Sequence, residues 1–234
     1  MRNLRKLSFE LLKKFGVETA CRHIDIGCGP GRNLDLLDSV KPSRVVGIDL
    51  SPIALEMARK ACPGADLVRV NAGNQLPFAD ATFDVATIFG VISSEWIESD
   101  VAVLCEVRRI LRTNGILLIT EPAFPILYRE MDVLGMVKRR YRLKQFTELL
   151  RSADFDVMFS NYITSFGAPI ILVMKAIKAL RRKNSEISDV PDLRPMNPLV
   201  NTTFYGLSRV EALFVRAAIP MPFGTTIICV ARRK

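Results

Sequence analysis

Residues 25–31 read DIGCGPG, with glycines at three alternate positions after the apolar run Arg22–Ile26. A turn this tight needs residues that accept positive φ, and side chains at those positions would block a ligand's approach to the backbone. A second acid, Asp49, ends the next apolar run, Arg44–Asp49 (RVVGID). A carboxylate there can accept hydrogen bonds from both hydroxyls of a ribose. The pair points to a nucleoside-type ligand at the carboxyl ends of two neighbouring parallel strands, the usual crevice of an open α/β sheet. A purely structural strand–helix turn is the alternative use of the three glycines.

The spacing also restricts the ligand. A dinucleotide site asks for G-x-G-x-x-G, but Arg32 stands where its last glycine would be, and the run is D-x-G-x-G-x-G. Asp25, at the mouth of the first strand, repels phosphate and attracts an ammonium. S-adenosylmethionine carries an ammonium and a sulfonium and no phosphate, so it satisfies both constraints.

The rest of the chain supplies elements to position these groups. Apolar runs at Arg22–Ile26, Arg44–Asp49, Asp66–Val70, Phe83–Phe89 and Ile116–Thr120 alternate with helical patterns at Asn33–Val40, Pro52–Ala61 and Asp100–Leu111. Nearly continuous apolar strands joined by helices indicate a parallel sheet covered on both faces. Ser51 and Pro52 supply a cap and first turn for the second of these helices. An amphipathic helix is expected at Leu4–Phe15. Past Glu121-Pro122 come a short helical segment at Pro125–Val137, a helix at Leu143–Ser152 and a sixth strand at Phe155–Thr164. A basic amphipathic helix at Pro169–Lys183, a Pro-rich linker at Val190–Pro198 and a helix at Leu199–Ala218 lead to a seventh strand at Thr225–Arg232.

The 234 residues, 49% hydrophobic and 24% charged, fit one folded domain. The net charge of +9 gathers at Lys138–Arg142 (KRRYR), Lys175–Lys183 (KAIKALRRK) and the C-terminal RRK. Such clusters suit nucleic acid, an anionic membrane or a phosphorylated substrate, or serve as a solvated surface. Five scattered cysteines and a single His offer no zinc-type spacing, and they suggest reduced thiols and a cytoplasmic protein. The start of the chain is amphipathic rather than a continuous apolar signal, and the run Ala168–Met174 is too short to span a bilayer.

The chain resembles the class I S-adenosylmethionine-dependent methyltransferases of the type 11-like group. DIGCGPG matches that family's first motif and GIDLS (Gly47–Ser51) its acidic second. NAGNQLPFADATFDV (Asn71–Val85) matches its third, and LRTNGILLITEP its fifth-strand segment. The resemblance implies a doubly wound, Rossmann-like, seven-stranded sheet of order 3-2-1-4-5-7-6, its last strand antiparallel. It implies a single domain: an N-terminal helix over 1–20, a cofactor-binding core over 21–122, an acceptor region with a helical insertion over 123–223, and a final strand over 224–234. It also implies S-adenosylmethionine as cofactor and S-adenosylhomocysteine as product. Carried over by position, Asp25, Gly27, Cys28, Gly29 and Gly31 meet the methionine part. Asp49, Leu50 and Ser51 meet the ribose, Asn71 and Ala72 the adenine, and Phe89 and Gly90 the amine and sulfonium. Asn71 replaces the more usual Asp, which removes one charge but keeps an acceptor oxygen.

Catalysis is less legible. Methyl transfer is an in-line displacement that depends chiefly on alignment, and a base is needed only when the acceptor must lose a proton. Many relatives have a His after strand four, where this chain has Ser93 and Ser94. His23, at the start of strand one, reads as structural. Glu121 is the leading acceptor-side group, with Glu95 and Tyr128 behind it, although Glu121 could instead bind backbone donors. Trp96 either caps the ligand or packs in the core. The C-terminal half is similar to a bacterial and archaeal subgroup loosely associated with glycan and lipid-linked sugar pathways. The expected acceptor is therefore a small molecule, a glycan or a lipid-linked compound, covered by a lid formed from residues 123–218. Peripheral contact with an anionic membrane is a further expectation. Rival readings are an RNA methyltransferase, a non-catalytic cofactor-binding module and, more distantly, a nicotinamide dehydrogenase.

Overall fold

The apolar runs pair as one twisted sheet. In a computed structural model, which describes residues 2–36, 38–182 and 198–234, the strands are β1 (Arg22–Ile26), β2 (Arg44–Asp49), β3 (Asp66–Arg69), β4 (Phe83–Phe89), β5 (Leu111–Pro122), β6 (Phe155–Ile163) and β7 (Thr226–Arg233). Their order is β3-β2-β1-β4-β5-β7-β6. The first five strands are parallel, and β7 lies antiparallel between β5 and β6. This is the doubly wound sheet expected from the sequence.

Among the described residues the α-helices are α1 (Arg2–Lys14), α2 (Pro52–Ala61), α3 (Asp100–Ile110), α4 (Glu130–Leu134), α5 (Leu143–Ser152), α6 (Gly167–Arg182) and α7 (Pro198–Arg216). On one face of the sheet Ile24, Ile26, Ile88 and Ile119 pack against Leu104 and Val107 of α3 and Phe146 and Leu150 of α5. On the other face Val85, Leu118, Ile228 and Val230 meet Leu7 and Leu11 of α1 and Val215 of α7. The alternation of side chains along each strand separates these two sets. Ser51 caps α2 through a hydrogen bond from Ala54 N, and Ser99 caps α3 through one from Ala102 N; each such cap contributes about 1 kcal/mol.

Three local expectations are corrected. The described residues of 33–40 form no α-helix. Turns follow the glycines, with Leu36 N donating to Asn33 O and Lys41 N to Asp38 O, and a 3-10 turn covers Asp38–Val40. The segment is short, carries Asn33, Asp35 and Asp38, which compete with helical backbone bonds, and ends at Lys41 with φ +48 before Pro42. β5 begins at Leu111 rather than Ile116, turning on Asn114 at φ +63. The expected single segment over 125–137 divides into a 3-10 turn at Pro125–Leu127 and the short α4. The Pro-rich linker lies outside the described residues up to 197, as does residue 183 at the end of the expected basic helix.

Candidate active site

A cavity of about 280 Å³ opens at the carboxyl ends of β1, β2 and β4, where strand order reverses. Its walls include Gly27, Asp49, Leu50, Asn71, Ala72, Phe89 and Gly90. Sequence reasoning had given all seven to a cofactor. A larger hollow of about 440 Å³ lies at the opposite ends of the strands, beside Val17, Asp84 and Arg112, away from the glycine turn.

The backbone of the turn is fixed by β2. Gly27 N and Cys28 N both donate to Ile48 O, at 2.8 and 2.9 Å. Asp49 completes the clamp: Oδ2 accepts from Gly29 N and Oδ1 from Ser51 N, both at 2.8 Å. Each carboxylate oxygen has a second lone pair, so Asp49 can hold the turn and still accept from a ribose hydroxyl.

The three glycines have different duties. A Cβ at Gly27, which has φ +70, would come within 2.3 Å of Val91 Cγ2. One at Gly31 would meet the Ala58 backbone at 2.9 Å, so this glycine lets α2 approach the turn. At Gly29 and Gly90, both in the left-handed region, a Cβ would meet no protein atom within 4 Å. Gly90 lines the cavity, so its bareness leaves space there for a ligand that lies close to the backbone.

Several expected contacts are placed elsewhere. The Cys28 side chain is buried, and its Sγ would lie 2.9 Å from a Cβ added at Gly47. Gly31 packs on α2, and Ser51 caps it. Neither these residues nor Gly29 form the cavity wall. Asp25 is not at a mouth: it is 1% exposed, on the α1 face of the sheet, and its Oδ1 accepts from the Thr87 hydroxyl at 2.7 Å. His23 Nε2 lies 2.8 Å from the same Thr87 hydroxyl. The result is a buried His23–Thr87–Asp25 chain. Burial pushes the Asp25 carboxyl up to about 7, with Asp49 adding to the rise and Thr87 opposing it, and burial lowers His23 to about 4. His23 is thus a neutral core residue, as its position suggested.

Glu121 is the main correction. It is fully buried at the end of β5, where Oε1 accepts from Val91 N and Ile92 N at 3.1 and 2.9 Å, and Oε2 from Ser93 N at 3.1 Å. Burial drives its carboxyl up to about 7, against the hydrogen bonds from Ser93, Ile92 and Val91, which favour the charged form. An acid in this position fixes the loop after β4 and lies outside the cavity wall. Tyr128 is also outside the cavity wall; its hydroxyl donates to Val137 O at 2.9 Å. Glu95 is exposed, and its backbone N–H donates to Met136 O at 2.9 Å.

Sequence reasoning missed the other side of the cavity, formed by Val91, Ser94, Ile97, Gly135 and Met136 beside the expected Trp96. The strap of residues 135–139 is laced to the β4 exit loop. Lys138 N donates to Ser93 O at 2.8 Å. Arg139 Nη2 reaches Ile97 O at 2.6 Å and pairs with Asp100 at 3.0 Å. Arg140 pairs with Asp132 at 2.7 Å and donates to Ala123 O. Two arginines of the KRRYR cluster are therefore internal struts. A signal was present in Gly135 and the run that follows it, but only the tertiary contact reveals its partner.

Comparison with known proteins agrees with the geometry. Residues 24–119 match the family described as "Methyltransferase domain". The trans-aconitate 2-methyltransferase of Enterobacter sp. (strain 638) is 31% identical over 114 residues, 48% of this chain and 44% of that protein. The phthiotriol/phenolphthiotriol dimycocerosates methyltransferase 1 of Mycobacterium ulcerans (strain Agy99) is 29% identical over 157 residues, 64% of this chain and 57% of that protein. The chain spans about half the length of these curated relatives. A crystal structure of an S-adenosylmethionine-dependent methyltransferase from Mesorhizobium loti superimposes with a TM-score of 0.62 at 18% identity, covering 97% of this chain and 98% of that one. The match of residues 24–119 and the shared sheet order together give this chain a methyltransferase-like fold.

Proposed function

We propose that this protein catalyses methyl transfer from S-adenosylmethionine to an apolar, lipid-type small molecule. The observation that carries the acceptor class is the composition of the cavity wall. Asp49 is the one charged residue among the described residues that line it, and on the side not given to the cofactor Trp96, Met136, Val91 and Ile97 supply apolar surface. A polycarboxylate such as the Enterobacter enzyme's trans-aconitate would ask for cations there. The lipid named for the Mycobacterium ulcerans relative would not.

When bound, S-adenosylmethionine supplies an electrophilic methyl group on a sulfonium. Asp49 would hold the ribose, Asn71 and Ala72 the adenine edge, and the backbone at Gly27 and Gly90 the methionine portion. Asn71 Oδ1 already accepts from Gly73 N at 2.9 Å, which fixes the amide's orientation. Glu121, through its three backbone bonds, positions Val91 and Ser94 at the wall. Among the described residues that line the cavity Asp49 alone is ionisable and it is already engaged, so this reading asks for an acceptor atom that needs no side-chain base to become nucleophilic. The protein's contribution is alignment and exclusion of water.

The test is transfer of a labelled methyl group from S-adenosylmethionine to fractions of a cell extract. Label entering the organic-extractable fraction supports the reading. Label confined to water-soluble acids would overturn the acceptor class, and label in neither fraction would overturn the catalytic reading.

A further inference from the structure

Beside the cavity the protein leaves an unusual amount of apolar surface in water. Ile126, Met131, Val133 and Leu134 are between 42% and 67% exposed, all within one short stretch that includes α4. This stretch leads directly into Gly135 and Met136, which form the cavity wall. On its other side α6 begins against the 3-10 turn, with Leu127 buried on Ala168 and Ile171. Phe166, Ile170 and Val173, at helical spacing, are left exposed. The apolar surface therefore continues from the cavity rim across α4 and the turn onto the first half of α6. Patches of this kind on a soluble fold mark an interaction site.

Charge identifies the occupant. The α6 sequence, GAPIILVMKAIKALRR, contains four cations and no anion. Lys138 and Arg142 are exposed next to α4, and no ion pair engages either among the described residues. Glu95, Glu98 and Glu130 are exposed nearby and oppose them, but the chain as a whole carries +9. We infer that the face formed by α4, the Pro125–Leu127 turn and the first half of α6 docks on an anionic lipid bilayer. Its exposed apolar side chains enter the headgroup region, and Lys138 and Arg142 meet the lipid charge. The cavity rim then opens at the membrane surface, and an apolar acceptor reaches it without crossing water. This inference rests on the reading of a lipid-type acceptor, yet docking is measured without any methyl transfer, so each can fail alone.

The experiment is flotation of the full-length protein with vesicles of phosphatidylcholine containing about 30% phosphatidylglycerol, and with phosphatidylcholine alone. Binding is expected to the anionic vesicles only and should weaken between ~0.1 and ~0.5 M salt. The double substitution Val133→Asp and Leu134→Asp should weaken it about tenfold or more, and Lys138→Gln roughly fivefold. Calorimetric binding of S-adenosylmethionine by each variant shows that the fold is intact. Failure of a cofactor-binding wild-type protein to float with anionic vesicles would overturn the inference. So would equal binding to both vesicle types, or a dimer that the Val133/Leu134 variant disperses.

Discussion

At the scale of single residues, two carboxylates that look like chemistry are used for architecture, and they differ in how far this removes them from the ligand. Asp49 clamps Gly29 and Ser51 but stays on the cavity wall. Asp49→Ala should weaken S-adenosylmethionine binding by about 1.5–3 kcal/mol, the range for hydrogen bonds to a charged group, or roughly ten- to a hundred-fold in Kd by calorimetry. Unchanged affinity would remove Asp49 from the site. Glu121, by contrast, is sealed behind the β4 exit loop. Its carboxyl and that of Asp25 are raised from 4.5 and 3.8 to about 7, while His23 is lowered from 6.5 to about 4. Between pH ~4.5 and ~6.5 the unfolded chain has released both carboxyl protons that the folded protein keeps, and it has bound one His proton that the folded protein lacks. Two opposing contributions outweigh one, so the free protein should lose stability as pH rises through this window. Glu121→Gln removes one of the two, and the remaining pair should nearly cancel. The variant's urea midpoint should then be almost flat from pH 4.5 to 6.5, although lower overall because its amide cannot accept from all three N–H groups. A slope as steep as that of the wild type would contradict this account of Glu121.

At the scale of elements, the glycine turn and the strap over it set the shape of the site. The strap can be tested through Arg139, whose guanidinium ties residues 135–139 to Ile97 O and Asp100. Arg139→Ala should cost about 1–3 kcal/mol of stability by leaving buried acceptors unpaired, and cofactor affinity should fall because Met136 and Trp96 lose their relative placement. Loss of stability with unchanged affinity would show that the strap is not part of the site. Gly90→Ala separates strain from occlusion. Its Cβ would meet no protein atom, and φ +70 costs about 1–2 kcal/mol. If the cofactor occupies that space, thermal unfolding will change modestly while binding collapses. The turn also shows where periodicity misleads. Leu34 and Leu36 are both buried at a spacing of two, within bonds of the i to i+3 type, so residues 33–40 could not be the amphipathic helix their composition suggested.

At the scale of the whole molecule, the sheet was legible because its strands announce themselves twice, by apolar runs and by the turns that end them. β1, β2 and β4 have the bounds read from sequence, and the order of all seven strands follows the family resemblance. One side of the cavity was legible for the same reason: Gly27, Asp49, Asn71 and Gly90 sit at or just past strand ends, where position in the chain fixes position in space. The other side was not. Gly135 and Met136 come to the cavity through hydrogen bonds to a loop some forty residues earlier in sequence, a pairing that no local pattern encodes. Asp25 illustrates the same limit, since alternation along β1 turns its side chain to the α1 face of the sheet, while sequence alone suggested a mouth.

The central claim is that the crevice at the ends of β1, β2 and β4 holds a sulfonium nucleoside. Its most direct test is calorimetric titration of the purified protein with S-adenosylmethionine, with S-adenosylhomocysteine and with NAD. The account predicts single-site, roughly micromolar binding of the first two, about −8 kcal/mol, and no heat from NAD. Binding of NAD in preference to either, or silence from all three ligands, would contradict it.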